Sequence, residues 1–94
     1  MKRVLRYTPP FNPIINLSLP WGAKLVLVDK ASPHHYAETG NPVSFWFEVD
    51  DSRSEHIRSF FVVGTGFEIP KGAGDWMTSV NVDGYIWHIY EKVS

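Results

Sequence analysis

Residues 76–93 read WMTSVNVDGYIWHIYEKV, and their reading decides the fold. Asp83-Gly84 stands between two alternating runs. Both positions of a type I′ turn need positive φ, which an Asp-Gly pair supplies at little cost. A two-residue turn there sets Val82 opposite Tyr85, Val80 opposite Trp87, Thr78 opposite Ile89 and Trp76 opposite Glu91. That face is almost wholly apolar and is expected to be core. The other face sets Met77, Ser79 and Asn81 against Ile86, His88 and Tyr90, and is mixed, aromatic and capable of hydrogen bonding. A slip of one residue would exchange the two faces, so the turn orients every side chain of the hairpin.

Upstream, the same period of two recurs. HIRSFFVV (56–63) reads as a strand ended by Gly64-Thr65-Gly66, and PKGAGD (70–75) as a loop leading into the hairpin. SFWFEVDD (44–51) carries Phe45, Phe47 and Val49 on one side and Ser44, Trp46, Glu48 and Asp50 on the other. Asp51 to Ser54 is a turn. KLVLVD (24–29) is apolar on both faces, the pattern of a central strand. IINLSL (14–19) aligns Ile15, Leu17 and Leu19 on one face. KRVLRYT (2–8) is a first strand, stopped by Pro9-Pro10, which cannot donate to a ladder. KASPHHYAETGNP (30–42) is the longest loop, with at most one helical turn in YAETG. No stretch sustains a helical repeat. The expectation is an all-β fold: one domain over residues 1–94, a small sandwich or partly closed barrel of six or seven short strands, ending in a C-terminal β-hairpin.

A chain of 94 residues makes one core. Trp21, Trp46, Trp76 and Trp87 are spread along it, and large rings let a small domain bury about 150–250 Å² apiece. A formal charge of −1 offers no basic stripe, which argues against long nucleic acid as a partner. No cysteine is present, so disulfides and thiolate chemistry are absent and a reducing compartment fits. No apolar run approaches the roughly 20 residues of a membrane span, and the start, MKRVLRYTPPF, does not read as a secretory signal. Cytoplasm is the expected setting, with no membrane partner.

Four stretches in order carry a resemblance: PWGAKLVLV (20–28), FWFEVDD (45–51), RSFFVVGTGFEIP (58–70) and DGYIWHIYE (83–91). Together they resemble a family of small, largely uncharacterised proteins of tailed bacteriophages, with a Pro-x-Gly-Ala turn, a Gly-Thr-Gly turn and a C-terminal Trp-His strand. Two departures stand out. The family pattern often places His after Gly-Thr-Gly, where this chain has Phe67, and often opens the strand before the last turn with Tyr-Ile-Gly-Thr, where this chain has Trp76-Met77-Thr78-Ser79. The resemblance supplies no catalytic residues. It implies a phage product acting in the host bacterial cytoplasm.

Chemistry-bearing constellations are sparse. His34-His35, His56 and His88 match no metal-ligand spacing, so neither a metal nor a cofactor is expected. Gly64-Thr65-Gly66 lacks the lysine and helix of a phosphate loop and reads as a tight bend. Glu48, Asp50 and Asp51 lie close to Arg53, Glu55 and Arg58, which reads as a charge-balanced rim. No nucleophile elbow or carboxylate pair appears, so no enzyme is expected. The aromatic surplus remains. An outward Trp or Tyr can stack on a nucleotide base or anchor a protein. The reading is a non-enzymatic phage accessory protein, expected as a homo-oligomer, that counteracts host defence by sequestering a small signalling nucleotide. Trp46 and Tyr90 would stack, and Arg58, Lys71 and His88 would meet phosphate. The alternatives are an interaction module or inhibitor gripping a host protein, and a structural or virion-associated assembly module.

Overall fold

A computed structural model of the chain describes residues 1–93. The element order is β1 (Lys2–Tyr7), β2 (Ile14–Pro20), β3 (Lys24–Lys30), α1 (Pro33–Thr39), β4 (Val43–Asp50), β5 (Glu55–Gly64), β6 (Ala73–Val82) and β7 (Tyr85–Lys92). The seven strands form two antiparallel sheets, one ordered β1-β4-β3 and one ordered β2-β5-β7-β6. They pack face to face as an open sandwich, not a closed barrel.

The core lies between the sheets. From one come Val28, Val43, Phe45, Phe47 and Val49; from the other come Ile15, Leu17, Leu19, Phe60, Val62, Val80, Val82 and Ile89. Every strand contributing to this cluster does so at alternate positions, as period two requires. Phe45, Phe47 and Phe60 meet with centroids 5.7–6.4 Å apart and are fully buried. Two polar side chains share this burial, and both are satisfied. Asn41 Nδ2 donates to the Pro9 carbonyl at 3.1 Å while its Oδ1 accepts from Val43 N–H, and Ser44 Oγ shares a 2.6 Å bond with Thr8 Oγ1.

The final hairpin turns at Asp83-Gly84 with φ of 53° and 88°, as a type I′ turn requires. Val82 faces Tyr85, Val80 faces Trp87 and Thr78 faces Ile89. Beyond Thr78 the register changes: Trp76 lies opposite Tyr90, not Glu91, because β6 carries one extra residue at Met77. The bulge bends the strand and re-aims its side chains. Met77, assigned to the outer face, packs against the core, while Trp76, assigned to the core face, is exposed. Tyr85 is also exposed, since it ends its strand at the mouth of the sandwich.

Two further expectations are corrected. β3 is an edge strand, not a central one: it pairs only with β4, with a bulge between Leu25 and Leu27. That bulge leaves Val26 and Leu27 47% and 48% exposed, which explains apolar residues on both faces without a second neighbour. The long segment 30–42 holds a seven-residue helix. Ser32 caps it by accepting from His35 N–H, Pro33 sits in its first turn, and Gly40 ends it at φ 69°. None of its residues is buried, so no apolar stripe marked it.

Candidate functional site

The antiparallel order brings three chain segments to one end of the sandwich. β2 begins, β5 ends and β7 begins there, so the approach to β2, the turn after Gly64 and the first residues of β7 converge. On the inner face of β5, residues alternate Phe60, Val62, Gly64, and Gly64 lies opposite Trp87. A Cβ at Gly64 would stand 3.0 Å from both the Phe67 ring and the Tyr85 hydroxyl. The glycine is therefore the space over which Phe67 and Tyr85 lie.

Phe11 and Trp87 meet edge to face at 5.7 Å and 66°, and Tyr85 and Trp87 lie 5.0 Å apart at 43°. Pro13 and Pro70 extend the same wall, and the resulting cleft holds about 340 Å³. Phe67 is 67% exposed, an aromatic ring presented to solvent beside an apolar floor. Phe11-Asn12-Pro13 and Phe67-Glu68-Ile69-Pro70 share a legible signal, a ring just ahead of a proline in a loop. In the sequence, Pro9-Pro10 reads as the stop of the first strand and Phe67 as a departure from a family pattern, and neither reading joins the two loops. That these loops meet at one end follows only from the strand pairing.

The five residues singled out for ligand binding do not converge. Trp46 is half-buried on β4, between Arg6 on β1 and Leu27 on β3, on the outer side of the three-stranded sheet. Lys71 is exposed in the turn before β6. His88 and Tyr90 do come together on the outer face of β7, with Val63 and Phe67 around a shallow depression. Arg58 lies at the opposite end of β5 from the aromatic cleft.

Arg58 is committed within the fold. Its Nε and Nη2 donate to Glu91 Oε2 and Oε1 at 2.7 and 2.8 Å, and its Nη1 donates to the Ala23 carbonyl at 2.5 Å. The guanidinium also covers the rings of Phe47 and Phe60 at 5.9 and 5.6 Å. The hydrogen bonds to Glu91 raise its pKa further, against the opposing effect of burial. A forked ion pair of this kind closes one end of the core and spends the donors a phosphate would need. Beside it, Trp21 stacks on His56 at 3.6 Å and 5°, and His56 Nδ1 is buried without a hydrogen-bond partner.

His88 belongs to a continuous chain. Trp76 Nε1 donates to Ser79 Oγ at 2.9 Å; Ser79 Oγ and His88 Nδ1 are 2.7 Å apart; His88 Nε2 and Thr65 Oγ1 are 2.9 Å apart; Thr65 Oγ1 reaches the Ile86 carbonyl. With the indole donating, the Ser79 proton is directed to Nδ1, and the Nε2 proton to Thr65. The serine–histidine pair thus has a hydroxyl behind the ring, where a catalytic triad has a carboxylate to hold the imidazolium. The arrangement pins the turn after β5 to β6 and β7. His34 and His35 are held locally too, by Glu38 at 3.1 Å and by Ser32 and Arg6 at 2.7 and 3.2 Å. Among the described residues no group of three or more His, Cys, Asp or Glu side chains could hold a metal ion, and no helix is long and apolar enough to cross a membrane.

No curated protein and no solved structure matches the chain. One family model, described as a domain of unknown function, matches it over residues 1–94.

Proposed function

The chain belongs to that family, DUF7352, and from this premise we propose that it is a non-enzymatic interaction module that grips a segment of a host protein in its aromatic cleft. The observation that carries the reading is the convergence of Phe11, Phe67, Tyr85 and Trp87 over a glycine floor. Aromatic anchors in a concave apolar site concentrate binding free energy, whereas scattered rings do not. The resemblance to tailed-phage proteins supports a bacterial partner met in the host cytoplasm. Open edges on both sheets, and the exposed Val26 and Leu27 of β3, support self-association as part of the same reading.

Nucleotide sequestration is the second reading. One observation favours it: Trp21, His56, Arg58 and Lys92 line a hollow of about 420 Å³, an aromatic shelf beside basic groups. The commitment of Arg58 to Glu91 and Ala23 weighs against it, as does the dispersal of Trp46 and Lys71.

Capture from bacterial lysate on immobilised protein tests the choice. One host protein held at near one-to-one stoichiometry, lost with Phe67→Ala or Tyr85→Ala and kept with Trp46→Ala, is the expected result. Retention of the same protein by both cleft variants would remove the cleft from the account. Native mass spectrometry of the purified protein, showing a few hundred daltons released on unfolding, would favour the nucleotide reading instead.

A further inference from the structure

The cleft has a sign. Among the described residues Glu68 is the one charged residue that lines it, and its carboxylate has no ion-pair partner there. Lys71, three residues on, lies in the next turn and outside the lining. The remaining lining is mostly apolar, with the Tyr85 hydroxyl beside Gly64 and the ring faces inclined to one another.

These features discriminate among occupants. An anionic group would meet a carboxylate and the negative faces of the rings, and both repel it. A neutral apolar segment would cover Glu68 and strip water from an unpaired charge, which is unfavourable. A cation on an apolar stem suffers neither penalty. The ring quadrupoles attract it, the carboxylate neutralises it, and the stem packs along the rings.

We infer that the Phe11–Phe67–Tyr85–Trp87 cleft is a receptor for an arginine side chain of the partner segment, its guanidinium stacked on the rings and directed to Glu68. Arginine fits better than lysine because a planar, weakly hydrated cation both stacks on aromatic faces and forks onto a carboxylate. The inference rests on the reading of this cleft as the partner-binding site and names the group that the site selects.

The test titrates N-acetyl-arginine amide and its neutral isostere N-acetyl-citrulline amide into the protein, followed by NMR on the Trp87 indole and the Phe67 and Tyr85 rings. The expected result is saturable shifts at these rings and none at the Trp46 indole, with the citrulline probe at least about fivefold weaker. Glu68→Gln, an exposed substitution that leaves the core untouched, should weaken the arginine probe about threefold or more and leave the citrulline probe unchanged. Equal affinity for the two probes, an unchanged arginine affinity in Glu68→Gln, or no saturable shift at the cleft rings would each overturn the inference. Host-protein capture separates that failure from failure of the site: if Phe67→Ala still abolishes capture, the cleft binds its partner through a neutral group. If Phe67→Ala and Tyr85→Ala both leave capture intact, the site itself is wrong.

Discussion

Asp50 and Asp51, at the acidic end of β4, have carboxyl pKa values lowered by their hydrogen bonds, which adds an acid-sensitive contribution to the fold. Asp50 Oδ1 accepts from the Ser52 hydroxyl at 2.6 Å and from the Ser52 backbone N–H at 3.1 Å, and the Met1 ammonium lies 3.3 Å away. These contacts, the Ser52 hydroxyl above all, hold its carboxyl at about 2. The folded value lies below the unfolded one of about 3.9, so the folded state favours the charged form. The stabilisation is therefore complete above about pH 4 and is lost as pH falls toward 2. Asp50→Asn is expected to shrink the fall in melting temperature between pH 5 and pH 2.5, measured by circular dichroism. The residual fall belongs in part to Asp51, lowered first by its hydrogen bond to the Met1 ammonium. An acid limb of unchanged depth in the variant would move the effect away from Asp50. The Asp50-Asp51 cluster is legible in sequence as an acidic rim, but its cationic partners are Met1 and Arg3 and not the nearby Arg53 and Arg58. The role of Arg58 is not legible there, because its partner Glu91 is 33 residues away and meets it only across paired strands.

Among elements, α1 shows most clearly how much capping alone can do. Its start and stop signals are all present in the chain: Ser32 before Pro33, and Gly40 after Thr39. They were illegible as a helix because no apolar periodicity accompanies them, and the helix buries none of its residues. Its stability is consequently local. Ser32→Ala should cost the helix about 1 kcal/mol and speed amide hydrogen exchange across residues 35–40, while the global melting temperature stays nearly constant. A global loss of similar size would mean that α1 is part of the cooperative unit. The bulges at Val26 and Met77 teach the complementary point. Each lies within a run whose alternation looked unbroken, and each shifts the pairing by one residue. A bulge depends on what the neighbouring strand demands, and the bulged strand's own residues do not announce it.

At the scale of the whole molecule, two sheets are joined by one layer of side chains. The Cα extents of 39 × 32 × 18 Å are those of a two-layer slab. Phe60 sits at its middle, fully buried against Phe45 and Phe47 and under the Arg58 guanidinium. Phe60→Ala is expected to cost about 3–5 kcal/mol, a large part of the roughly 5–15 kcal/mol that holds a domain folded. Urea unfolding followed by tryptophan fluorescence would show it as a lower midpoint with a nearly unchanged slope. A loss below about 1 kcal/mol would mean that the sheets do not depend on this cluster for their association.

Local order in the chain determined the strands, the alternation that marks their buried faces and the type I′ turn that closes the hairpin. Period two and turn chemistry are properties of neighbouring residues, and neighbouring residues are what a sequence displays. Tertiary structure alone decided which strands became edges, where the bulges fell and which rings met. Phe11, Phe67 and Trp87 are separated by 56 and 20 positions, and no local preference relates them. They share a cleft because antiparallel pairing returns β2, β5 and β7 to one end of the sandwich, and because Gly64 leaves that end open.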